Sequence, residues 1–265
     1  MSGGGSSDGN RVESGAGMNG MRTLLVEEGD DRVVVRLNRP ESRNAIDQRM
    51  VDDLHDLCAA LEAEPRILIV TGGDGVFASG ADIAELRERT AADARLLINA
   101  TVFSRIAALP LPVIAAVDGY ALGGGAELAY AADFRIGTPR LRIGNPETGL
   151  GIIAAAGALW RLAELVGEPL AKEIVLAGRV LNGEEALAAR LVTELHEPDA
   201  LLPAAHALAD RIAANDRLAT RYTKAVFHAP RSAHPAAEAD AQAVLFESPE
   251  KHRRMTEFLE RRRKR

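Results

Sequence analysis

The chain has 265 residues, 47% of them hydrophobic, enough to bury the core of one sizeable domain together with a smaller appendage. Its 32 Lys and Arg against 38 Asp and Glu give a net charge of −6, so no overall basic field exists for nucleic acid or an anionic membrane. No run of 18 apolar residues is present to span a bilayer, and the single cysteine, Cys58, excludes an intrachain disulfide and fits a reducing, cytoplasmic setting.

Residues 1–20 are rich in Gly and Ser and lack the apolar centre of a signal peptide, so they are expected to form a disordered tail. From Thr23, "TLLVEE" and "VVVRLN" flank "GDD" as an antiparallel hairpin would. In "MVDDLHDLCAALEAE" the residues Val51, Leu54, Leu57, Cys58 and Leu61 recur at helical spacing, which makes Cys58 a core thiol and not a nucleophile. "RILIVTGG" reads as a short buried strand, part of 82–108 as a helix, and "LPVIAAVDGY" as the next strand. The glycine triplet of "GYALGGGAEL" opens a further helix, and "FRIGTPRLRIG" supplies extended pieces. The recurring unit is strand, strand, helix. Beyond Ala155 the pattern becomes almost wholly helical, with one late strand expected at "LVTELHE". This divides the chain into a core over 21–200 and a C-terminal helical region over 201–265.

Three glycine-bearing segments, "VFASGADI", "GYALGGGAEL" and "GNPETGLGIIAAAG", put free main-chain amides where loops meet helices. Such amides donate to an anion or a developing oxyanion, although glycines there also serve tight strand–helix packing. Glu127 and Glu147 lie in apolar settings, where a carboxylate is costly unless it is paired or used. Twenty residues apart, they share no helical face by spacing. If they line one pocket they make an acid/base pair; taken singly, each reads as a solvated surface acid.

No H-E-x-x-H, C-x-x-C or G-x-x-x-x-G-K-[ST] pattern occurs and the six histidines do not cluster, so no metal site is expected. "GLGIIA" matches a loose dinucleotide fingerprint, but no helix clearly opens on it and Pro146 sits just upstream. Residues 251–265 carry eight Lys or Arg and two Glu; this local +6 reads as a solvated helix end complementing its dipole, with an RNA- or phosphate-binding tail as the alternative.

"LNRPESRNAI", "VFASGADIAEL", "GYALGGGAELAYAADFRIG", "NPETGLGI" and "MTEFLERR" occur in the order and at the spacing typical of the enoyl-CoA hydratase/isomerase (crotonase) superfamily, which this chain resembles from about Leu24 onward. The resemblance implies an α/β fold, a crotonase-like spiral of strand-strand-helix turns with a C-terminal helical trimerisation region. It implies a homotrimer or hexamer acting on an acyl-CoA thioester, with coenzyme A as part of the substrate and no separate cofactor. The oxyanion donors then fall on the amides of Ala81 and Gly124, and the acid/base pair on Glu127 and Glu147. Further substrate contacts fall on Arg43, Ala45, Gly80, Asp82, Ile83, Gly123 and Ala155, with Arg43 and, from a neighbouring subunit, Arg261 expected near the CoA phosphates.

The chain departs from that pattern at "AAAGALWRL", where hydratases commonly read "PGAGGTQRL". Ala155 then replaces a glycine whose amide helps to hold the water, and Leu159 and Trp160 are expected either to reshape the acyl pocket or to enter the core. Ala84 stands where many members carry a lysine. Hydration of a trans-2-enoyl-CoA is the leading expectation. An enoyl-CoA isomerase or other enolate chemistry, or a weakly catalytic acyl-CoA- or RNA-binding homologue, are the alternatives.

Overall fold

The computed structural model describes residues 20–263. The Gly/Ser-rich tail expected over 1–20 therefore falls, except for Gly20, outside the described residues, as do Lys264 and Arg265.

Strands β1 (Leu24–Glu28) and β2 (Arg32–Leu37) form the expected antiparallel hairpin. β2 then pairs in parallel with β3 (Ile67–Thr71), β3 with β5 (Val113–Val117), and β5 with β7 (Phe134–Gly137), giving a five-stranded sheet. A second sheet holds β4 (Val76–Ala78), β6 (Tyr120–Leu122), β8 (Arg142–Gly144) and β9 (Val180–Asn182) in that order. Each repeat of the spiral thus sends one strand into the first sheet and the next into the second: β3 and β4, β5 and β6, β7 and β8.

Both faces of the first sheet are covered, which is why β3 and β5 read as unbroken apolar runs. On one face, Leu68, Val70, Val113 and Ala115 pack with α1 (Gln48–Ala63) and α4 (Ile98–Ala107). Asp47 caps α1 by accepting from the Met50 amide, and Met50, Val51, Leu54, Leu57, Cys58 and Leu61 form its buried stripe. Each such Leu contributes about 1.5–3 kcal/mol by leaving water. Burial pushes the Cys58 thiol up to about 12, so it stays protonated and inert. On the other face, Ile69, Ile114 and Ala116 meet Leu201, Ala205, Leu208 and Ala209 of α9 (Pro198–Ala213). Helix α9, which starts at Pro198, therefore packs on the core sheet.

The structure corrects several sequence expectations. The apolar run from Leu111 to Tyr120 is two strands: at Gly119 (φ +67°) the chain leaves the first sheet for the second, and a Cβ there would stand 1.7 Å from the Gly75 carbonyl oxygen. The helix expected within 82–108 is three, α2 (Ile83–Glu88), α3 (Ala91–Arg95) and α4. "LVTELHE" makes only an isolated bridge, Gly137 to Leu195, and β9 is the strand between α7 (Glu168–Ala177) and α8 (Gly183–Ala188). Helices α10 (Arg217–Phe227), α11 (Ala236–Phe246) and α12 (Pro249–Arg263) complete the chain. Asp133 ties α10 to the core, accepting from Lys224 Nζ at 2.7 Å and from the Val113 amide.

Helix α5 (Gly124–Tyr130) lies against β4 so closely that a Cβ on Gly125 would stand 2.3 Å from the Ala78 carbonyl oxygen and 2.7 Å from the Ala78 side chain. Gly125→Ala is expected to destabilise the fold by about 3 kcal/mol, measured by urea unfolding, because backbone on both sides must move. A variant as stable as wild type would contradict this packing.

Candidate active site

β4 ends at Ala78, and the segment beyond it is clamped from behind. Asn44 donates through Nδ2 to the carbonyls of Val76 and Phe77 and accepts the Arg39 amide on Oδ1. Ile46 donates to the Gly80 carbonyl at 2.8 Å and accepts from the Asp82 amide at 2.9 Å, so the intervening Ala81 N–H lies outside this ladder. At the second loop Gly123, with φ +52° and ψ −125°, adopts a conformation closed to most side chains and delivers the chain into α5. Gly124 is the first residue of that helix, so its N–H has no intrahelical acceptor. A Cβ on Gly124 would lie 3.4 Å from the Ala81 nitrogen. Two free donors from separate loops thus stand side by side, with the positive end of α5 behind them.

Glu127 lies in the first turn of α5 and is only 3% exposed. Its Oε1 accepts from the amides of Ala156 and Ala158 at 2.7 and 3.1 Å. Burial pushes its pKa up to about 7; the two amides oppose that rise and the charge of Glu147 adds to it. Glu147 begins a single 3₁₀ turn, Glu147–Leu150, and is 9% exposed. Asn145 Nδ2 donates both to Glu147 Oε1 at 3.2 Å and to the Gly123 carbonyl at 3.3 Å, locking the acid to the glycine loop. A Cβ on Gly123 would crowd Glu147 Oε1 at 3.1 Å. Glu147 Oε2 is buried without a partner, and burial raises this pKa too.

Ala81, Gly124, Glu127 and Glu147 all line one cavity of about 550 Å³, and Gly80, Ile83, Gly123 and Ala155 line it with them. Leu86, Leu97, Ile98, Leu122, Ile152 and Ile153 give it apolar walls suited to an acyl chain. The four residues of the expected reaction centre, remote in sequence, meet at one place.

Other expected contact residues are not among those lining the cavity. Asp82 is outside the lining: it caps α2 through the Ala84 and Glu85 amides and stands 3.5 Å from Arg39. Ala45 is outside it too, and Arg43 rests over the Tyr120 ring, 5.2 Å from its centroid. Arg261 is exposed on α12; its expected contact is to a neighbouring subunit's site. Leu159 and Trp160 neither line the cavity nor enter the core; each is 52% exposed, and the Arg161 guanidinium lies 4.0 Å over the Trp160 ring. Sequence reading missed the amides of Ala156 and Ala158, and also Asn145, for which "NPE" offered only its proximity to Glu147. Among the described residues no group of three or more His, Cys, Asp or Glu is gathered as a metal site would require.

A family model described as enoyl-CoA hydratase/isomerase matches residues 29–265. The chain belongs to this family. A crotonyl-CoA hydratase of Syntrophomonas wolfei is 37% identical over 248 residues, 90% of this chain and 95% of that protein. A short-chain-enoyl-CoA hydratase of Clostridium acetobutylicum is 33% identical over 251 residues, 91% of this chain and 96% of its relative. Among solved structures, an enoyl-CoA hydratase from Bacillus anthracis superposes with a TM-score of 0.85 at 29% identity, covering 91% of this chain and 97% of that one. One from Thermoplasma volcanium gives 0.82 at 32% identity, covering 91% and 99%. The strand-strand-helix spiral is the crotonase-like α/β fold of these enoyl-CoA hydratases.

The buried Glu127 links stability to pH. An acid whose pKa is about 7 folded and 4.5 unfolded binds its proton more tightly when folded. Stability from this group is therefore full below pH 4.5 and is lost as pH rises through about 7, a change of about 3 kcal/mol. Glu127→Gln is accordingly expected to gain about that much stability relative to wild type between about pH 5 and pH 8, read by urea unfolding at each pH. The same difference at both values would contradict a desolvated Glu127.

Proposed function

We propose that the chain is an enoyl-CoA hydratase, adding water across the double bond of a trans-2-enoyl-CoA to give a 3-hydroxyacyl-CoA. One observation carries this reading: the amides of Ala81 and Gly124 and the carboxyls of Glu127 and Glu147 open onto a single apolar cavity. An acyl thioester seated there presents its carbonyl oxygen to the two N–H donors, which stabilise the enolate that forms when a nucleophile adds to C3. Coenzyme A enters as part of the substrate.

The proposed division of labour makes Glu127 the base that takes a proton from the attacking water. Its two main-chain donors support the ionised form against the burial that raises its pKa. Glu147 keeps an unpartnered oxygen, a place for the proton that it gives to C2. The oxygen–C3 and C2–hydrogen bonds form as the C2–C3 π bond is lost, leaving Glu127 protonated and Glu147 ionised. Exchange with water restores both. Ala155 lies in the same loop as the two donors to Glu127, within the lining, and its N–H is proposed to steady the water.

Exposed apolar side chains on the C-terminal helices, Phe227 (81%) and Phe258 (56%) among them, favour a homotrimer or hexamer, to which Arg261 would bring its charge from a neighbouring subunit. Among the described residues no helix is long and apolar enough to cross a membrane. A cytoplasmic location, with its reducing conditions, belongs to the same proposal.

Crotonyl-CoA, followed by loss of its conjugated enoyl absorbance, is the test substrate. Glu127→Gln and Glu147→Gln are each expected to lower kcat about 1000-fold with the fold retained by circular dichroism. Activity should rise with pH through about 7 as Glu127 ionises. Turnover of a 3-enoyl-CoA with crotonyl-CoA untouched would make the protein an isomerase, and tight acyl-CoA or RNA binding indifferent to both changes would make it a binding protein.

A further inference from the structure

Of the polar side chains in the cavity wall that the two-glutamate scheme leaves idle, Asn99 is the one beside the two main-chain donors. Asn99 lies in the first turn of α4 and lines the same cavity as Ala81 and Gly124. Its Nδ2 stands 3.6 Å from the point a Gly124 Cβ would occupy, and that point is 3.4 Å from the Ala81 nitrogen. Its Oδ1 is buried with no hydrogen-bond partner. Buried carboxamides that serve the scaffold are bonded on both ends or at least on one, as Asn44 is to three main-chain groups and Asn145 to Glu147 and Gly123. Asn99 has apolar neighbours on its own helix, Ile98 and Ala100, and both also line the cavity. The Oδ1 does not compete for the site, being an acceptor turned away from solvent, while Nδ2 makes no side-chain bond and is left for an acceptor in the cavity.

We propose that the Asn99 carboxamide is a third donor to the thioester oxygen, beside the Ala81 and Gly124 N–H groups. This rests on the reading of the cavity as an acyl-thioester site. An oxygen held between the two main-chain donors sits on the open side of Gly124, the side that Asn99 Nδ2 faces. The setting reinforces the charge preference. The first intrahelical bond of α4 runs from Thr101 N–H to the Leu97 carbonyl, so the N–H groups of residues 98 to 100 stay outside the helical ladder, and no side chain caps that end. The positive end of a second helix thereby borders the site where negative charge develops, adding to that of α5. A donor that strengthens as the carbonyl becomes an enolate acts on the transition state more than on the bound substrate.

The test pairs Asn99→Leu, which keeps the volume and removes the donor, with Asn99→Asp, which keeps the shape and replaces the NH₂ by an acceptor. Both are expected to lower kcat for crotonyl-CoA hydration about 100-fold while KM stays within about threefold of wild type. An independent readout is the binding of acetoacetyl-CoA as its enolate, seen by near-ultraviolet absorbance, against the binding of saturated butyryl-CoA. Enolate affinity should fall by about the same 100-fold in both variants and butyryl-CoA affinity by no more than about threefold. An unchanged kcat, or an equal loss of affinity for both thioesters, overturns the proposal, the second result being what a loosened cavity wall would give. If the wild type leaves crotonyl-CoA untouched yet binds the enolate in an Asn99-dependent way, the hydratase reading fails and this assignment stands. If the wild type binds neither thioester, both fall.

Discussion

Everything at the site depends on how closely α5 seats on β4. Gly125 has no side chain to hold the helix off Ala78, so the backbone of one loop reaches the backbone of the other. That approach brings the Gly124 and Ala81 donors together and points Glu127, in the same first turn of α5, at the amides of Ala156 and Ala158. A single methyl group at the contact would part the two loops. The second sheet exists to hold this arrangement: β4, β6 and β8 are only three residues each, and every one ends where the chain turns into the site.

The electrostatics follow from the same seating. Two carboxyl groups are buried in one apolar cavity, and each has its pKa raised chiefly by loss of water. Folding is opposed by that desolvation, yet it leaves two acids that hold their protons to higher pH than free carboxylates do. Their hydrogen bonds keep them distinct. Glu127 is fixed by main-chain donors on a separate loop, whereas Glu147 is fixed through Asn145 to the glycine loop itself. Beside them stand the Ala81 and Gly124 donors and the positive end of α5, so the negative charge of an enolate meets a preformed field and little reorganisation is required.

Much of this was legible in the sequence where a local rule governs. The alternation of the hairpin, the apolar stripe of α1, the glycine triplet and the two glutamates in apolar company could all be read directly. What escaped depends on distant chain segments. Tyr120–Leu122 continues an apolar run and looks like the tail of β5; only the close passage of Gly119 over Gly75 turns it into a second strand. β9 is three residues between helices, stabilised by pairing with β8, and has no length in which to show a period. Leu159 and Trp160 read as pocket or core residues because they are large and apolar, but they lie on the outward face of α6 (Ala158–Val166). Asn145 and Asn99 look like ordinary polar residues until the loops they face are folded beside them.

The most direct test of the central claim is a crystal structure with butyryl-CoA, a thioester that binds but cannot be hydrated. The thioester oxygen is expected within about 2.7–3.1 Å of both the Ala81 and Gly124 nitrogens, with C2 towards Glu147 and C3 towards Glu127. A bound acyl group whose carbonyl oxygen points away from both nitrogens, or a thioester seated outside this cavity, would contradict it.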